Sequence, residues 1–429
     1  MNNESAITRY LRSRPSLVLA QYATATAFTV YFCMYAFRKP FTAVSYEGYM
    51  FGTGDVTLKT ALATSQILGY ALSKVIGIRF CSEITRARRF AAIVGLVTLA
   101  ELALLLFAIL PPNLKIIAMF LNGLPLGMIW GLVVLYLEGR KTSELLLAGL
   151  SCSFILSSGF VKSAGSALME RFQLPEFWMP VATGAAFYPL FLLSTYLLDQ
   201  VPQPDAEDVA MRVERKTMTR TDRFAFFRQF AFGMTLLLIV YFVLTAYRDF
   251  RDNFAAEIFK QLGYGGKPAV FAKSETYVAF AVMVPIAALN FVRNNRRGLF
   301  GAFAIMCTGC LMLAAGTWAL DRQLISGLTW MVLVGTGAYL TYVPYNSVLF
   351  DRLIASTRAT GTAVFAINLA DSFGYAGSIG VMLVKDATFG RVTQLDFLRY
   401  LSYGMAGLGF VLLVISCIYF MLWHTHHDE

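Results

Sequence analysis

Long apolar runs alternate with short polar segments along the whole chain. About twelve runs are each about twenty residues long, which is enough for a helix to cross the hydrocarbon core of a bilayer. We predict them at residues 17–38, 60–79, 90–110, 114–137, 145–168, 178–198, 229–250, 273–292, 299–319, 327–350, 359–384 and 399–423. The pattern therefore predicts an all-α membrane protein with about twelve transmembrane helices.

Composition and charge agree with this interpretation. Hydrophobic residues make up 57% of the chain and charged residues 14%, a balance that excludes an ordinary soluble domain. The formal net charge of +10 raises the question of nucleic acid, but Lys and Arg are concentrated in alternate loops, as at residues 86–89 and 293–297. Because such loops stay cytoplasmic, we expect an integral protein of the inner (plasma) membrane with both termini in the cytoplasm and no nucleic-acid partner.

The longest polar segment, at residues 199–223, divides the apolar runs into two sets of six. It mixes acids, bases and prolines, which is typical of a solvated linker. The sequence therefore predicts an N-terminal six-helix bundle at residues 1–198, a cytoplasmic linker at residues 199–228 and a C-terminal six-helix bundle at residues 229–429.

Matches between the two halves indicate an internal duplication. "VYFCMYAFRKPF" begins at Val30 and "VYFVLTAYRDF" begins at Val240, while "AGS" occurs at residues 164–166 and again at 376–378. The offset is about 210 residues in each case, and parallel repeats of this kind build transporters whose substrate binds between the halves. Further matches at this spacing are Gly123 with Gly335, Gly149 with Gly361, and Arg140 with Arg352.

The duplicated element places Arg38 and Arg248 at matching points of the first span of each half. If the first span begins at Leu17, Arg38 lies roughly 31 Å along the helix, and an arginine near a helix end reaches the interface at little cost. The repeat favours a different role, since two guanidinium forks make a clamp for phosphate or carboxylate. We predict the clamp, with the interfacial position as the alternative.

Other ionisable side chains within the runs belong to the same hypothesis. Lys74 and Lys162 would make the site strongly cationic, which suits an anionic solute. Asp371 is the main acid within the runs, and it is either a counter-ion to Lys162 or an arginine, or a proton carrier for coupling. The tyrosines predicted to orient a ligand are Tyr35, Tyr70 and Tyr342.

These residues resemble motifs of the major facilitator superfamily and, within it, of the organophosphate:phosphate antiporters, which include glycerol-3-phosphate and sugar-phosphate transporters. The first-span motif is matched by Tyr35, Arg38, Lys39 and Phe41, the second by Tyr70, Ser73 and Lys74, and the eleventh by residues 361–363 and 374–378. The resemblance implies two bundles, alternating access, and pairing of Arg38 with Arg248 around phosphate. Ser158 and Leu135 depart from the family, since glycerol-phosphate carriers have a histidine and an arginine there.

The sequence therefore predicts a secondary active transporter for a small organic anion, phosphorylated or carboxylated. We expect it to act as a monomer, in exchange for inorganic phosphate or driven by protons through Asp371. It carries no Walker, dinucleotide-binding or catalytic-triad pattern, so no enzyme activity, cofactor or metal is expected. Two alternatives stay open: a proton-coupled carrier of a zwitterionic or peptide-like solute that binds its amine at Asp371, and a receptor or assembly factor that no longer transports.

Overall fold

The computed structural model describes residues 5–52, 54, 56–137, 143–204, 220–289, 291–357 and 363–423. The sequence matches at Arg140 and Gly361 lie outside these residues, as does much of the predicted linker. The chain divides into two compact units, Met1–Glu214 and Arg215–Glu429, and the division falls inside the segment predicted as the linker.

Helices form nearly all of the first unit. They are α1 (Ala6–Arg12), α2 (Ser16–Met34), α3 (Leu58–Glu83), α4 (Arg86–Ile109), α5 (Lys115–Leu126), α6 (Ile129–Leu137), α7 (Ser143–Phe172) and α8 (Met179–Asp199). Two 3-10 turns, Tyr35–Phe37 and Pro40–Ala43, follow α2. A short hairpin of β1 (Met50–Phe51) and β2 (Val56–Thr57) pairs Met50 with Thr57 and leads into α3.

The second unit is likewise helical. Its helices are α9 (Arg220–Gln229), α10 (Ala231–Asn253), α11 (Ala255–Phe259), α12 (Ala269–Leu289), α13 (Asn295–Asp321), α14 (Gly327–Ser347), α15 (Leu349–Thr357), α16 (Ala363–Phe389) and α17 (Gln394–Trp423). A π-helical turn, Lys260–Tyr264, separates α11 from α12.

Among the described residues, nine helices are long and apolar enough to cross a membrane. The remaining predicted spans coincide with three other long helices, α3, α7 and α14. The predicted bounds agree with the helices to within about five residues, and the prediction of an all-α membrane protein is confirmed.

The first span ends inside its unit. The turn Tyr35–Phe37 closes α2, and the carbonyl oxygens exposed by this ending need partners. Asn122 donates to the Phe37 carbonyl and Gln66 donates to the Arg38 carbonyl, both at 2.9 Å. Both amides are buried. Gln66 lies eight residues into α3, about 12 Å along that helix. The chain just after Phe37 is therefore fixed about 12 Å from the first residue of α3.

Close packing of α3 against α5 brings these two amides together. A side chain at Gly123 would collide with the backbone carbonyl of Gln66, so only glycine allows the two helices to approach this closely here. Gln66 then donates to the Asn122 side-chain oxygen at 2.7 Å, and Asn122 also donates to the Ala100 carbonyl on α4 at 3.0 Å. The result is a buried polar network that joins three helices to the end of the first span.

A buried ion pair holds the corresponding part of the second unit. Arg251, on the last turn of α10, binds Glu275 of α12 at 2.8 Å and the Met331 carbonyl of α14 at 2.9 Å. The Arg251 side chain passes over Gly335, where any side chain would overlap its guanidinium. Because both side chains are buried, loss of one partner would leave an uncompensated buried charge.

Candidate functional site

Arg38 lies against aromatic rings in the first unit. Its guanidinium carbon is 3.9 Å from the centre of the Tyr70 ring and 5.9 Å from that of Tyr35. Tyr70 stands at the middle of α3, a helix of 26 residues. The cation therefore lies at mid-helix depth, although the first span of the chain ends at Phe37. Arg38 therefore stands beside the middle of α3 and not beside either of its ends.

Lys74 shares the Tyr70 ring with Arg38. Its ammonium nitrogen is 5.8 Å from the ring centre, one helical turn beyond Tyr70. A cation over an aromatic ring gains about 0.5 to 2 kcal/mol, depending on how much water is removed. Both cations are partly exposed. Their contacts with the two rings bring four predicted site residues into one group: Tyr35, Arg38, Tyr70 and Lys74.

Lys162 occupies the interior of the first unit. It lies on α7 with 2% of its surface exposed, and α7 packs against α2 and the turn Tyr35–Phe37. Lys162 is therefore much more buried than Arg38 or Lys74. A cation at such a position is expensive within a membrane and commonly has a functional role.

Arg248 has a matching aromatic contact in the second unit. Its guanidinium carbon lies 3.9 Å from the centre of the Tyr342 ring, the same distance as between Arg38 and Tyr70. Arg248 also binds the carboxylate of its neighbour Asp249, with Nη2 at 2.8 Å and Nε at 3.2 Å from one oxygen. The other Asp249 oxygen accepts a 2.7 Å hydrogen bond from Ser378 on α16.

Asp371 joins the same aromatic group through Tyr241. The Tyr241 hydroxyl donates to Asp371 at 2.5 Å, and the Tyr241 ring stacks on Tyr342 with 5.4 Å between ring centres. Asn346 contacts the Tyr241 hydroxyl at 3.5 Å. The structure thus gives Asp371 a tyrosine partner, whereas a cationic partner was expected from the sequence.

Several polar residues of this arrangement were not predicted, among them Tyr241 and Asn346 beside Asp371. Asp249 follows Arg248 directly in "YRDF", so its presence was visible although its role was not. Gln66 and Asn122 are amides within otherwise apolar spans, and this is the signal that could have found them. Across the described ranges, no group of three or more His, Cys, Asp or Glu side chains is placed to hold a metal ion.

Solved structures of transporters share this fold. The crystal structure of a D-xylose-proton symporter matches with a TM-score of 0.60 and 12% identity, over 92% of this chain and 96% of that one. The POT family transporter PepTSo, from an in meso crystal structure, matches with a TM-score of 0.60 and 13% identity, over 96% and 99% of the two chains. The chain therefore has the all-α membrane fold of the major facilitator superfamily.

The family is established by a match over most of the chain. The model of the family of unknown function DUF5690 covers residues 40–422, and the protein belongs to that family. Arg248 lies inside the matched region and Arg38 lies just before it. No curated protein matches the chain.

Proposed function

We propose that the protein is a secondary active transporter that moves a small organic anion across the membrane by alternating access. Arg38 and Arg248 are its anion-binding residues. One observation carries the proposal: the first span of each repeat presents an arginine whose guanidinium lies 3.9 Å from a tyrosine ring of its own unit. The arginine repeats at an offset of 210 residues, whereas its tyrosine comes from the second span in the first unit and from the fourth span in the second unit. Recurrence of the arginine on a ring in both units is expected of a shared ligand role and not of two independent anchors.

The stacked geometry suits anion binding. A ring that covers the face of a guanidinium leaves the N–H groups in the plane directed outward, where they match the oxygens of phosphate or carboxylate. Lys74 adds a second positive charge beside Arg38. In the second unit Asp249 accepts one hydrogen bond from Nε and one from Nη2 of Arg248, and the remaining N–H groups of the guanidinium can donate to an added anion. A phosphorylated or carboxylated solute fits this chemistry.

Transport in reconstituted vesicles tests the proposal. Vesicles that contain the purified protein and unlabelled organic phosphate or carboxylate should take up the labelled compound, and empty vesicles should not. Arg38→Gln and Arg248→Gln should each abolish this uptake, while Arg79→Gln, which alters an exposed arginine paired with Glu83, should leave it intact. Uptake unchanged in both site variants would exclude these arginines as anion-binding residues.

A second candidate function is favoured by the contact between Tyr241 and Asp371. A carboxylate at 2.5 Å from a hydroxyl within a transporter fold is a suitable proton carrier or amine ligand, and one protein of this fold is a proton symporter. The protein would then carry a zwitterionic or peptide-like solute with protons. Dipeptide uptake driven by an imposed pH gradient, and lost in Asp371→Asn, would favour this function.

We also propose that both termini are cytoplasmic. Within the first unit, Thr8 of α1 donates to the Gln200 carbonyl just after α8 at 3.0 Å, so the N-terminal helix and the start of the linker lie on the same side. Arg86 donates to the Asp199 carbonyl at 3.3 Å, which brings a basic loop to that side too. Labelling of single cysteines at Ser13 and Tyr49 in intact cells tests this orientation, because only Tyr49→Cys should react.

A further inference from the structure

The carboxylate of Asp249 is part of the anion-binding group in the second unit. It lies directly on the guanidinium of Arg248, at 2.8 Å from Nη2, and both side chains are partly exposed, at 18% for Arg248 and 14% for Asp249. The pair is electrically neutral as it stands. An organic anion that binds Arg248 adds a negative charge beside Asp249.

Two anions on one guanidinium repel each other strongly where water is scarce. Such a site regains neutrality when one of the two anions takes up a proton. A substrate anion that is fully ionised in water holds no proton of its own, so Asp249 is the group that can accept one.

Ser378 is placed to accommodate either protonation state of Asp249. Its hydroxyl donates to Asp249 at 2.7 Å, and its oxygen also lies 3.2 Å from the Gly374 carbonyl. When Asp249 is ionised, the hydroxyl donates to the carboxylate. When Asp249 is protonated, the serine hydroxyl turns toward Gly374 and its oxygen accepts the hydrogen bond from Asp249.

The helices packed on α10 carry other ionisable groups. Asp371 is hydrogen-bonded to Tyr241, whereas Asp249 contacts the Arg248 guanidinium itself. An anion that binds Arg248 therefore repels the carboxylate of Asp249 in particular. Arg399 of α17 is bound by Asp321 and Asp396. The ionisable residues of α10 and of the helices packed against it include Tyr241, Tyr247, Arg251 and Asp252 on α10, Tyr339, Tyr342 and Tyr345 on α14, Asp371, Tyr375, Lys385 and Asp386 on α16, and Asp396, Arg399, Tyr400 and Tyr403 on α17.

We propose that Asp249 binds a proton whenever an anion binds Arg248, so that the protein is an anion–proton symporter. The proposal rests on the proposed function and assigns its coupling to Asp249 in place of Asp371 or phosphate exchange. The proton comes from the water on the side where the anion enters, is held on a carboxylate oxygen of Asp249, and leaves to water on the other side with the anion.

Calorimetric proton counting on the purified protein tests the proposal. Sulfate and acetate are the probes, because both are fully ionised near neutral pH and carry no proton of their own. Titrations at one pH in buffers of different ionisation enthalpy give the number of protons taken up per anion. We expect about one proton per anion, and an affinity that falls up to about tenfold for each unit rise in pH. This measurement uses the unaltered protein and does not depend on the folding of a variant.

Variants locate the proton. Asp249→Asn should bind the probe without proton uptake and with no dependence on pH. Asp321→Asn alters a carboxylate at the last residue of α13 that binds Arg399, and it should behave like the unaltered protein. Anion binding without proton uptake would overturn the symport proposal and leave the proposed function standing. Proton uptake that persists in Asp249→Asn would overturn the assignment of the proton to Asp249, and its loss in Asp371→Asn would assign the proton to Asp371 instead. If neither anion binds the unaltered protein at any pH, the proposed function fails and the symport proposal fails with it.

Discussion

Gln66 donates a hydrogen bond of 2.7 Å to Asn122 inside the first unit. Each amide also caps a carbonyl at the end of the first span, so this pair determines where the span stops. Arg38 follows directly, and its contact with Tyr70 depends on that ending. The position of the Arg38 side chain is therefore set by two buried amides that bind the backbone at the end of the span.

Asn122→Leu should destabilise the protein and weaken anion binding together. Leucine has a similar volume but leaves the Phe37 and Ala100 carbonyls without their donor, and each such loss costs about 1 to 3 kcal/mol. Thermal unfolding in detergent should show a melting temperature lower by several degrees. Thr29→Ala is the control, since the exposed Thr29 hydroxyl bonds only to the Ala25 carbonyl of its own helix. Equal melting of the two variants would contradict the capping role of Asn122.

Removing either partner of the ion pair between Arg251 and Glu275 should destabilise the protein. Arg251→Met or Glu275→Leu alone should lower the free energy of unfolding by about 3 to 5 kcal/mol, because the remaining partner stays buried. The double variant Arg251→Met with Glu275→Leu should recover much of that loss. Thermal unfolding of the three variants measures the coupling, and losses that add in the double variant would show that the two residues do not depend on each other.

The rings beneath the two arginines should be replaceable by phenylalanine and not by leucine. Tyr70→Phe and Tyr342→Phe keep the aromatic face, so anion affinity should stay within a few-fold of the parent. Tyr70→Leu and Tyr342→Leu remove a cation–π contact of about 0.5 to 2 kcal/mol, so affinity should fall by about 2- to 30-fold. Isothermal titration with the preferred anion provides the measurement. Equal affinity of the phenylalanine and leucine variants would show that the rings only pack.

Neutralising Asp371 should separate the two candidate functions. If the solute is an anion held by the arginines, Asp371→Asn should retain solute binding, because the amide keeps the shape and can still accept from Tyr241. If the solute is a zwitterion whose amine binds Asp371, the same change should abolish binding. Tyr241→Phe removes the 2.5 Å hydrogen bond while leaving the Asp371 side chain in place, and it serves as the companion variant.

The fold could be predicted from the sequence because membrane crossing imposes length and apolarity on every span. The depth of Arg38 could not, because it depends on the 3-10 turn after α2 and on amides from two other helices. The pairing of Arg248 with Asp249 was equally hidden, since adjacent helical positions do not face each other. The contact is made through Nε and Nη2 of Arg248, and no periodicity in the sequence reveals it.

Anion binding by Arg38 and Arg248 is tested by thermal stabilisation of the purified protein with a panel of inorganic phosphate, phosphate esters, carboxylates and amines. A ligand that binds the folded state raises its melting temperature by mass action. We predict that a phosphorylated or carboxylated anion stabilises the parent and Arg79→Ala, and stabilises neither Arg38→Ala nor Arg248→Ala. A melting temperature that no anion raises, or an equal response of parent and both site variants, would contradict anion binding by Arg38 and Arg248.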